Sequence, residues 1–131
     1  MHSDLVRTHL LATWLGLLAG FVSGAVIGLF FHREDWLGGY DSYPRRLLRL
    51  GHISFFGLAL VNALFALTVW MAGIPEGALT AASIALLGGA VTMPLCCFFA
   101  AWRKPLRFLF PIPVGSLLGG TLLIILAFFR S

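Results

Sequence analysis

His32 and His52 bracket the most polar stretch of this sequence, each at the edge of a long apolar run. Two imidazoles on facing antiparallel helices can hold a b-type haem, which makes this pair the candidate haem ligands. Cys96 and Cys97 are adjacent, and Met93 lies one turn before them. Thiolate and thioether sulfur suit Cu(I) or a similarly soft ion, so these three form a candidate metal site. The plainer account takes the histidines as interfacial groups and the cysteines as small apolar packers. The sequence favours that account: no cofactor is expected, with haem b or copper as the alternatives. His9 stands apart, near the other end of its run, and is set aside as too distant to join the haem pair.

Catalytic patterns are missing. Asp4, Glu34, Asp35, Asp41 and Glu76 all fall in connections or at the N-terminus. No serine sits in a Gly-x-Ser-x-Gly setting, and no glycine-rich loop follows a strand. The chain is therefore not expected to be an enzyme.

The elements that must position these groups follow from composition. Of the 131 residues, 60% are hydrophobic and 11% charged, with a mean hydropathy of +0.96. A soluble domain carries about 25% charged residues, so the medium around this chain must be lipid. A helix needs roughly 20 apolar residues to cross a bilayer, and the stretches 10–31, 53–72, 79–102 and 108–129 qualify. The first exceeds the roughly 7–15-residue apolar core of a signal peptide and is expected to be retained as a span. The fold expected is all-α: one transmembrane domain over 1–131, a bundle of four helices. Pro94 should kink the third span, and Asn62, near the middle of the second, should hydrogen-bond a neighbouring helix.

The connections set an orientation. The first and third carry Arg33, Arg45, Arg46, Arg49, Arg103, Lys104 and Arg107, against Arg7 and Arg130 on the opposite side. This positive-inside bias places those two loops in the cytoplasm and both termini outside, with a bacterial inner membrane as the expected location. Arg45, Arg46, Arg49, Arg103, Lys104 and Arg107 are candidates to bind phosphate headgroups or an acidic partner. Residues 43–52 read as an amphipathic approach along the headgroup layer. The basic clusters suit lipid better than nucleic acid, and no nucleic-acid partner is expected.

Gly16, Gly20, Gly24 and Gly28 recur every four residues in the first span. On a helix they form a bare ridge about 18 Å long, a glycine zipper on which another helix can approach closely. Gly115 and Gly119 repeat the spacing on the fourth span, and Ala81, Ala85 and Gly89 on the third. Packing within the bundle is the first expectation for these faces, and contact with a second copy or another subunit the next. No span holds a central Asp, Glu, Lys or Arg, which counts against a channel or proton-driven carrier. An adjacent cysteine pair in a membrane helix is similar to one in the small bacterial mercury-uptake membrane proteins; the likeness covers Cys96 and Cys97 alone, and no second pair follows to receive an ion. The role expected is a non-catalytic accessory, assembly or scaffold subunit of a larger membrane complex. A haem or soft-metal protein and a small oligomeric transporter are the alternatives.

Overall fold

The computed structural model describes residues 2–130. Four helices follow one another: α1 (His2–Phe31), α2 (Tyr43–Met71), α3 (Glu76–Trp102) and α4 (Pro111–Arg130). All four segments are long and apolar enough to cross a membrane. The protein is an integral-membrane helical bundle. Its outward face carries Trp14, Leu29, Trp70, Ile84 and Leu118, each about two-thirds or more exposed, as expected where lipid replaces water.

The helices run longer than the apolar stretches. α1 starts eight residues before residue 10 and has 30 residues, so it is about 45 Å long and outreaches a hydrocarbon core of roughly 30 Å. Residues 43–52 are the opening turns of α2, continuous with the second span. Ser42 caps that helix, its hydroxyl accepting from the Arg45 N–H, and Pro44 sits in the first turn where an N–H is dispensable. α3 continues through Pro94 to Trp102. The basic third connection winds into a 3₁₀ turn, Lys104–Leu109, before α4.

Neighbours in sequence are neighbours in space: α1 packs on α2, α2 on α3 and α3 on α4, while α1 touches α3 only lightly. The apolar core lies toward the end holding the termini, where Phe65, Val69, Ile74, Leu79, Ala82, Leu86 and Ala127 are buried together. At the opposite end the third connection meets the start of α2, just beyond the first connection, with Lys104 lying 5.7 Å over the Tyr43 ring. These two basic loops share one face.

The glycines divide sharply. A Cβ on Gly16 would sit 3.1 Å from that of Ala59; one on Gly20 would strike the Phe56 ring at 2.7 Å, and one on Gly24 the His52 ring at 2.6 Å. α1 thus lies directly on α2 through three of its four ridge glycines. Gly28 meets nothing within 4 Å, nor do Gly115 and Gly119. The expectation that these last three pack inside the bundle is corrected, because α4 turns a different face inward. Gly120 lies against Ala85 and Leu86, Leu117 covers Gly89, and Ser116 donates to the Ala85 carbonyl at 2.7 Å. Overpacking a close contact typically costs 1–3 kcal/mol. We expect Gly20→Leu to lower thermal stability in detergent by about that amount, with Gly28→Leu close to neutral. Equal effects would sink this account of the ridge.

Candidate functional site

The most polar cluster within the spans is built on His9, the histidine that sequence reasoning set aside. Its side chain is fully buried between α1, α2 and α3. Asn62 of α2 donates through Nδ2 to the Leu58 carbonyl at 2.8 Å, which turns its Oδ1 toward the imidazole. That oxygen can only accept, so His9 Nδ1–H donates to it, at 2.6 Å. Ser83 of α3 completes the line, its hydroxyl donating to His9 Nε2 at 2.8 Å. Phe65 stacks on the ring, tilted, with centroids 4.2 Å apart. The neutral Nδ1–H tautomer satisfies both nitrogens, and an imidazolium here would be a buried charge with no carboxylate among the described residues in contact. One turn on, the Thr13 hydroxyl lies 2.8 Å from the His9 carbonyl and 3.2 Å from that of Ala59.

Hydroxyl, imidazole and amide stand here in the order that activates a nucleophile in hydrolases. Here they are buried between three helices. Ser83 is only 4% exposed and lies inside α3, where backbone N–H groups are spent on the helix rather than aimed at an oxyanion. With Asn62 1% exposed and His9 wholly covered, the three groups act as a clamp joining three helices. The expectation that Asn62 bonds a neighbouring helix agrees with this geometry; the partner is His9, for which the sequence offered no role. Its only sequence signal was a lone histidine opening an apolar run.

A lateral recess lies beside the clamp. Gly16, Ala19, Phe55, Ala59, Asn62 and Pro94 are among the residues lining a cavity of about 330 Å³ between α1, α2 and α3.

The other sequence candidates are not drawn together. His52 seats against Gly24, with Nδ1 3.0 Å from the Ser23 hydroxyl and the ring edge-on to Phe56. His32 follows the end of α1 and is exposed. Eight residues separate Gly24 from His32, about 12 Å along a helix, so His52 points into the α1 groove well short of His32. Cys96 and Cys97 are buried free thiols. A Cβ on Gly51 would lie 3.1 Å from the Cys97 Cβ, and Cys96 Sγ lies 3.9 Å from the Leu109 carbonyl oxygen. Met93 is half-buried. Among the described residues no three His, Cys, Asp or Glu side chains converge as metal ligands would.

The expectation that Arg45 faces headgroups is corrected. It is 3% exposed, and its guanidinium donates to the carbonyls of Phe31 at 3.2 Å and Glu34 at 3.3 Å. The rings of Phe31, Trp36 and Tyr40 surround it at 5.1, 5.3 and 6.0 Å. A cation on the Phe31 carbonyl, the last of α1, complements the negative end of the helix dipole. Arg49 lies 4.2 Å over Tyr40 and donates to its carbonyl. Arg46, Arg103, Lys104 and Arg107 remain exposed.

The class this fold defines is a small four-span membrane bundle, pinned internally by a His–Asn–Ser clamp. The chain matches no known family, and no curated protein or solved structure is significantly similar to it.

Interhelical hydrogen bonds in membranes average about 0.6 kcal/mol and reach about 1.7. A double-mutant cycle between His9→Ala and Ser83→Ala should give a coupling of about 0.5–1.7 kcal/mol in detergent unfolding. Additive losses would show that the two side chains do not interact.

Proposed function

We propose that the protein is a non-catalytic subunit of a larger membrane assembly, docking in the plane of the bilayer through α4. The observation that carries this reading is that Gly115 and Gly119, one helical turn apart on α4, have nothing within 4 Å of a Cβ position. A side-chain-free strip on the outside of a bundle is what another transmembrane helix needs for close approach. Gly28 offers a further bare position on α1. The accessory role is supported by the fate of the polar groups in the spans: His9, Asn62 and Ser83 are committed to one another. The excess of Arg and Lys on the two loops that share one face supports a cytoplasmic location for that face, and we place the protein in a bacterial inner membrane on the same ground.

Gentle solubilisation of the native membrane should bring down a membrane partner with the chain. Because Gly115→Leu and Gly119→Leu add bulk where nothing stands, the double variant should keep its thermal stability and lose the partner. Retention of the partner by a stably folded double variant, or copurification of nothing at all, would defeat the proposal.

A further inference from the structure

The face that the basic loops share contains a cleft of about 450 Å³. Leu37, Pro44, Leu48, Phe98, Ala101 and Trp102 line it, so its walls come from the first connection, the start of α2 and the end of α3. The lining is apolar, although Arg103 and Lys104 directly follow the lining residue Trp102 in sequence. An apolar recess of this kind forfeits dispersion contacts unless an apolar group fills it.

Two features of the rim point to what fills it. The first is backbone strain. Leu37 has φ 56° and ψ 27°, the left-handed region that a leucine rarely enters, and it is followed by Gly38 and Gly39, also at positive φ. Such conformations persist where the surroundings hold them, often at ligand clamps; here the strained residue lines the cleft. The second is charge. Trp102, 90% exposed, also lines the cleft, and Arg103 and Lys104 follow it directly and are exposed. Lys104 is steadied over the ring of Tyr43, the neighbour of the lining residue Pro44. Glu34, Asp35 and Asp41 are the carboxylates of the first connection; all are exposed, and none lines the cleft.

An apolar slot with a cationic rim and an indole at interfacial depth matches a molecule with a hydrocarbon tail and an anionic head. We propose that this cleft binds one anionic phospholipid, an acyl chain lying between Leu48, Phe98 and Ala101 and the phosphate held by Arg103 and Lys104. The site is separate from the α4 surface and does not depend on the assembly reading.

The test offers the purified full-length chain phosphatidylglycerol and phosphatidylcholine together in detergent and counts retained lipids by native mass spectrometry. One phosphatidylglycerol should be held in preference to phosphatidylcholine. Removing the cations in Arg103→Gln with Lys104→Gln should weaken that retention roughly 5-fold for each charge lost, while phosphatidylcholine is unaffected. Ala101→Leu, which fills the slot at constant charge, should abolish the preferred lipid. Trp102→Ala, at a position too exposed to matter for folding, should weaken it. Equal retention of the two lipids by the native chain would overturn the proposal. So would unchanged phosphatidylglycerol binding in the charge variants or in both cleft variants, the result expected if the cleft instead receives a side chain of a partner protein.

Discussion

In lipid a polar side chain must find its partner inside the protein, because no water is present to stand in. That constraint governs the way α1 joins this bundle. His9, Asn62 and Ser83 come from three different helices, and each satisfies what another leaves open. The Leu58 carbonyl fixes the amide orientation, the amide fixes the tautomer, and the tautomer requires a donor where Ser83 stands. Sliding α1 by one residue would swing His9 about 100° away from both partners and strand three polar groups in hydrocarbon.

α1 needs such a device because it is held almost wholly by its face on α2. It contributes almost no buried large side chain, and its contacts with α3 are few. Gly16, Gly20 and Gly24 let it lie close on α2, gaining dispersion contacts with Ala59, Phe56 and His52. Close approach alone leaves rotation and register loosely specified, and polar groups at the two ends supply what is missing. His9 fixes one end. At the other, Arg45 takes up the Phe31 carbonyl inside a cage of three aromatic rings. Between these anchors α1 runs about 33 Å, roughly the thickness of the hydrocarbon core.

The four spans were legible because apolar length is a sufficient signal once water is excluded as the medium. The shared side of the two basic loops was legible for a related reason, since each short connection returns the chain to the opposite face. The site was legible in one half only. Asn62 announces the need for a partner, but nothing local shows that α1 begins early enough to supply His9 from another helix. Glycine spacing marks surfaces able to pack without saying which will: Gly16 and Gly115 sit in similar patterns, yet one is covered by α2 and the other by nothing. Arg45, Arg46 and Arg49 read alike in sequence. Their fates diverge because α2 already begins at Tyr43, and successive helical positions point about 100° apart, turning Arg45 inward and leaving Arg46 outside.

The clamp is most directly tested by the nitrogen-15 spectrum of the His9 imidazole in a selectively labelled sample in bilayers. The account predicts a neutral ring with the proton on Nδ1, Nε2 bare and accepting a hydrogen bond, and a sample-wide shift of that signature in Asn62→Ala. A ring protonated on Nε2, a mixture of tautomers, or a spectrum indifferent to Asn62 would contradict it.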